Sequence, residues 1–170
     1  MSDTEMIEEL EFLGIIKDGS GNFSAELEIS GSDKISTEIP DWPKILQPGT
    51  LNVRIEKYPD CYEPEFGQLN VKCLDSRKFQ PVAEIPHSDI KNNTLPPTPE
   101  FPDRGRAQIW QAILTKLATE KEAKCWVFRR IGSGMQLDLE LVSDHHLRNA
   151  MSLENGDKVS LKLFGCWERK

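Results

Sequence analysis

Short runs of alternating polar and apolar residues, cut by glycine and proline, constrain this chain more than any other feature. Pro48-Gly49 makes a tight entry into Thr50-Leu51-Asn52-Val53-Arg54, where Leu51 and Val53 alternate with polar neighbours. Phe23, Ala25, Leu27 and Ile29 alternate in the same way with Ser24, Glu26 and Glu28, and Lys158–Phe164 repeats the pattern near the C-terminus. A period of two is the period of a strand with one buried face. Many short strands separated by Gly and Pro turns predict a β-barrel.

The remaining segments extend that reading. Leu10 to Lys17 is strand-like, and Asp18-Gly19-Ser20-Gly21-Asn22 is a turn signal that leads to Phe23–Ile29, so the two runs predict a hairpin. Further strands are expected near Gln68–Leu74, Phe79–Ile85, Lys124–Arg129 and Leu137–Val142. Ser143-Asp144 caps a short helix from His145 to Met151, and Leu153-Glu154-Asn155-Gly156-Asp157 is a turn. In 106–119, Ala107, Trp110, Ile113, Leu114 and Leu117 recur at helical spacing, so helix and strand both stand open there. Residues 86–103 hold five of the 11 prolines and read as a long extended loop or insert. The expected organisation is a flexible tail over 1–9 and a single β-barrel domain over 10–170.

A net charge of -7 argues against a general nucleic-acid binder. The acidic start, Met1-Ser2-Asp3-Thr4-Glu5-Met6, is no signal peptide, and no stretch approaches the length of a membrane span. Cys61, Cys73, Cys125 and Cys166 lie far apart, without zinc-site spacing. A cytoplasmic protein with reduced thiols, no membrane partner and a monomeric state is expected. There is no phosphate-binding G-x-x-x-x-G-K-[ST] loop, no G-x-G-x-x-G fingerprint and no G-x-S-x-G elbow. On a strand, Thr50 and Asn52 share one face about 7 Å apart, a spacing open to a hard cation or to plain solvation.

Three segments, Lys17-Asp18-Gly19-Ser20-Gly21-Asn22-Phe23, Pro48-Gly49-Thr50-Leu51-Asn52-Val53 and Leu139–Arg148 with Leu153–Val159, occur in one order. They resemble the archaeal-type CTP-dependent riboflavin kinases, as a divergent member. The resemblance implies a six-stranded cradle-loop β-barrel, with Ala107–Thr115 and Lys124–Arg130 as a strand hairpin. It implies transfer of the terminal phosphoryl group of CTP to the ribityl 5′-hydroxyl of riboflavin, giving FMN. Thr50 and Asn52 match the Mg²⁺-contacting pair. Asp18, Gly19, Ser20, Gly21, Asn22 and Phe23, with His145, His146, Leu147 and Arg148, match the nucleotide-binding segments. Glu140 matches an acid on the ribityl side, which could deprotonate the acceptor, and Ser133 stands where the family carries a flavin-side threonine. Arg129 or Arg130 would bring positive charge to the transferred group. The alternative on the same barrel is a non-catalytic nucleotide- or flavin-binding module. A third reading is a protein-interaction domain built on the proline-rich segment.

Overall fold

The computed structural model describes residues 8–18, 51–59, 70–76, 78–89, 96–132, 137–143 and 147–167. Its strands are β1 (Glu8–Asp18), β2 (Leu51–Lys57), β3 (Phe79–Gln80), β4 (Ala83–Ile85), β5 (Ala107–Lys116), β6 (Lys121–Arg130), β7 (Asp138–Val142) and β8 (Lys158–Trp167). One helical turn, α1 (Leu147–Ala150), joins β7 to β8. The sheet runs β3-β8-β1-β2-β7-β6-β5-β4, and Gln111–Lys116 of β5 pairs back onto Val159–Phe164 of β8. That last ladder closes a six-stranded antiparallel barrel and leaves β3 and β4 outside the ring.

Alternation decides what fills it. Phe12, Ile16, Leu51, Val53, Val127, Leu139, Leu141, Leu161 and Leu163 point inward and form the main core. Closure removes the exposed ladder edges that an open sheet would present. The β1–β2 ladder slips register between Leu13 and Gly14. A side chain at Gly14 would start 2.8 Å from Val53 Cγ1 and would collide with the Arg54 carbonyl oxygen, so the close approach needs glycine.

The barrel has two unlike ends. At one, Asp18, Leu51, Val142, Lys121, Lys116 and Lys158 start or finish their strands. At the other, β5 and β8 splay apart. Ala107–Ile109 pairs with β4, Cys166–Trp167 pairs with β3, and the segment Phe79–Ile85 fills the gap. The 3₁₀ helix Val71–Ser76 plugs this end with Val71 and Leu74 in the core.

Several sequence expectations change. The strand expected near Gln68–Leu74 is that 3₁₀ helix: a three-residue turn sets Val71 and Leu74 on one face. Phe79–Ile85 is two short strands, interrupted at Pro81-Val82, where proline has no N–H to donate. The helical spacing in 106–119 belongs to strand β5, paired with β6 as a hairpin. This strand is apolar on both faces, with Trp110, Ala112 and Leu114 inside and Ala107 and Ile109 packed outside against β4, which mimics a helical stripe. The second arm expected at Phe23–Ile29 lies outside the described residues. The edges of β1 are taken by β2, by β8 and, at Ile16, by backbone bonds to Gly156 and Asp157. The proline-rich segment is not simply extended. His87–Asp89 is a 3₁₀ turn, and Thr98 and Phe101 bridge each other, with Thr98 Oγ1 accepting from the Phe101 N–H at 3.1 Å.

Candidate functional site

Register builds the site. Lys17 on β1 lies opposite Asn52 on β2, Asn52 opposite Glu140 on β7, and Glu140 opposite Phe128 on β6. Directly opposed residues point to the same side of a sheet, with side chains about 5 Å apart. Leu51, Val53, Leu139 and Leu141 take the inner face, so this row is on the outer one. The outer face is not simply solvent-facing. Trp126, Phe128 and Val142 are buried there with Ala107, Ile109, Ala83 and Ile85 in a second apolar cluster. Asn52 is only 6% exposed, and among the described residues nothing hydrogen-bonds its Oδ1. Lys17 and Glu140 are half-buried. A buried amide oxygen without a partner is costly and marks a place where a donor or cation would be welcome.

The segments singled out in sequence converge on one end of the barrel. Asp18 pairs with Leu51, and Leu51 with Leu141. The β7–β8 connection is tied to β1 by Gly156 N donating to Ile16 O at 2.9 Å and Ile16 N donating to Asp157 O at 3.0 Å. Gly156 has φ +90, which glycine adopts without strain. Leu147 anchors α1 in the core, so its side chain packs rather than projects. Arg148 Nη2 donates to Asn155 Oδ1 at 3.0 Å. A shallow groove of about 390 Å³ lies on this end, lined by Lys116, Leu117, Ala118, Gly156, Asp157 and Lys158. Lys116 Nζ already donates to Ser152 O at 2.8 Å and stands 3.6 Å from Asp157 Oδ2. Gly19, Ser20, Gly21, Asn22, Phe23, Thr50, Ser133, His145 and His146 lie outside the described residues.

No protein-family model matches the chain. No curated protein matches its sequence either.

Arg129 and Arg130 follow Phe128 at the finish of β6, opposite the start of β5. Arg129 takes the inner face, away from the row, and Arg130 takes the outer face two residues beyond Phe128. Arg129 holds Asp75 in a two-pronged ion pair, Nε to Oδ1 at 2.7 Å and Nη2 to Oδ2 at 3.0 Å, and Gly132 N donates to Oδ2 at 3.2 Å. Arg130 Nε donates to the Gly105 carbonyl at 3.0 Å. Arg129 thus fastens the plug, whereas Arg130 keeps a buried Nη2 that nothing among the described residues hydrogen-bonds. Gly132 and Leu137, which bracket the Ser133 stretch, sit at this end too, at the finish of β6 and the start of β7. Gln108 lies between Glu84 and Arg129 on the inner face, fully buried, and among the described residues nothing hydrogen-bonds its amide.

Among the described residues no three His, Cys, Asp or Glu side chains gather around one point, so there is no all-protein cage. Mg²⁺ usually keeps several waters and is shared between one or two protein oxygens and substrate phosphates. The Asn52 carbonyl oxygen beside the Glu140 carboxylate is a donor pair of that kind. Sequence reading found Asn52 and Glu140 but missed Lys17 as their neighbour and Asp75 as the partner of Arg129. No local pattern signals either pairing.

Proposed function

We propose that this protein is a CTP-dependent riboflavin kinase-like phosphotransferase. The observation that carries the reading is the Asn52–Glu140 cross-strand pair with its buried, unpartnered Asn52 Oδ1. Its support is the six-stranded barrel that the sequence resemblance implied, together with the convergence of the Asp18, Leu51 and Leu147–Arg148 segments on one end. Asn52, with Thr50, would hold a Mg²⁺ ion that neutralises charge on the triphosphate. Glu140 orients the ribityl 5′-hydroxyl and accepts its proton as the new oxygen–phosphorus bond forms and the bond to the CDP oxygen breaks. Phe128, next to Glu140 in the row, belongs to the outer apolar cluster and lowers the polarity on that side of the carboxylate.

A non-catalytic nucleotide- or flavin-binding module on the same barrel is the second reading. It is favoured by one observation: Arg129, one of the two arginines that could have served the transferred phosphoryl group, is held by Asp75 on the inner face. Incubation with riboflavin, Mg²⁺ and either CTP or ATP, with FMN read by chromatography, separates the two. FMN formed with CTP supports the kinase; nucleotide binding without FMN supports the module. Glu140→Gln should lower turnover by about a hundredfold or more with CTP affinity nearly unchanged. An unchanged rate would make the acid a bystander.

A further inference from the structure

We infer that Lys17 is the phosphate-positioning cation of this site, and that it grips the triphosphate of a nucleotide whose divalent cation sits on the neighbouring Asn52. The inference rests on the nucleotide-binding reading above. Three observations carry it. Lys17 is in direct register with Asn52, so the ammonium, the amide and the Glu140 carboxylate share one face in that order. Successive strands are about 4.8 Å apart, which puts the Lys17 and Glu140 backbones on the order of 10 Å from each other with the amide between. At that span the ammonium and the carboxylate do not meet directly across Asn52, so the cation is placed for a ligand's phosphate oxygens.

The second observation is the state of the two side chains. Asn52 is nine-tenths buried with an orphaned oxygen. Lys17 is half-buried and has no carboxylate within ion-pair distance among the described residues. A partly desolvated ammonium beside an unsatisfied acceptor oxygen is an arrangement that a cation-bridged polyanion completes: the phosphate oxygens accept from the ammonium and the bound cation takes the amide oxygen. The third observation is elimination. The chain carries a net charge of -7, so a phosphate ligand needs local positive charge. Arg129 is held by Asp75 on the inner face, and Arg54, two residues from Asn52 on the same strand, pairs with Asp138. Arg148 bonds Asn155, Lys116 bonds Ser152 and Asp157, and Arg130 lies beyond Phe128, three strands from Lys17. In the row itself Lys17 supplies the cation.

Titration calorimetry of the full chain with CTP and, separately, with inorganic triphosphate, each with Mg²⁺, tests this. Lys17→Gln and Lys17→Thr should weaken both ligands about tenfold or more and flatten the salt dependence of binding, while Lys17→Arg keeps most of the affinity. Asn52→Ala is run beside them to report on the parent reading. If Asn52→Ala weakens Mg²⁺–CTP and the Lys17 variants bind like the wild type, Lys17 is overturned and the nucleotide site stands. If the wild type binds neither ligand, the parent reading falls and this inference falls with it. The urea midpoint of each variant separates lost binding from lost folding, and Lys17→Arg, which keeps the charge, carries the comparison if the neutral variants do not fold.

Discussion

Removing Asp75 should cost this protein a large part of its stability. Its carboxylate is the two-pronged partner of Arg129, whose side chain is 3% exposed against 13% for Asp75. Asp75→Ala leaves a guanidinium at the plugged end of the barrel without its counter-ion and deprives the Gly132 N–H of its acceptor. Breaking one side of a buried pair costs about 3–5 kcal/mol, because the remaining charge stays desolvated. Whole domains are stable by only about 5–15 kcal/mol. At about 2 kcal/mol per molar urea, the unfolding midpoint should fall by roughly 1.5–2.5 M. For a chain of this size the melting temperature should fall by about 6–20 °C. Urea titration followed by tryptophan fluorescence reads the change, since Trp110 lies in the core. The pairing argument makes a second demand. The double variant Asp75→Leu/Arg129→Met should recover most of the loss, because a well-packed apolar pair is often no worse than a buried ion pair. A loss below about 1 kcal/mol for Asp75→Ala would refute the reasoning and show that water reaches Arg129 freely.

Cys125 is fully enclosed between β5 and β7, and burial pushes its thiol up to about 12. The thiolate is the reactive form, so iodoacetamide at pH 8 should leave the Cys125 peptide unmodified until urea unfolds the chain; rapid labelling of the native protein would contradict its placement. His87 is held below the ordinary histidine value of 6.5 by burial and, secondarily, by the Arg130 guanidinium. Its folded pKa is depressed, so the unfolded chain takes up the proton first, and the stability gained from a neutral His87 is complete above about pH 6.5 and lost as pH falls below it. His87→Gln should therefore lose less stability than the wild type between pH 7 and 5.5. Parallel pH slopes in urea titrations would remove His87 from the account.

What the chain reveals on reading follows from which contacts are local. β1, β2, β7 and β8 alternate because one face meets the barrel interior, and residues two apart carry that signal. β5 hides it, because the strand is buried on both faces and its apolar residues fall at helical as well as strand spacing. The 3₁₀ plug hides in the same way: Val71 and Leu74 are three apart, a spacing a six-residue segment cannot distinguish from a strand end. Asn52 stood out as a polar residue between Leu51 and Val53, and Glu140 through the resemblance. Their contact did not, since it depends on the register between β2 and β7, strands that are distant in sequence.

The same logic explains why the burial of Asn52 was not legible in its alternation. On a barrel with a bare exterior an outward asparagine would be hydrated, and its alternation with Leu51 and Val53 needs nothing more. Here Asn52 is outward and yet 6% exposed, while outward Arg54 and Glu56 on the same strand are exposed, so burial is local to the row that ends on the outer apolar cluster at Phe128. A polar side chain in that second layer loses its water and has to find a partner within the protein or in a ligand. Lys17, Asn52 and Glu140 answer this need in series, with cation, amide and carboxylate on three adjacent strands. Strands hydrogen-bonded side by side hold such a row more rigidly than loops would, which is what positioning a phosphate chain against a hydroxyl requires.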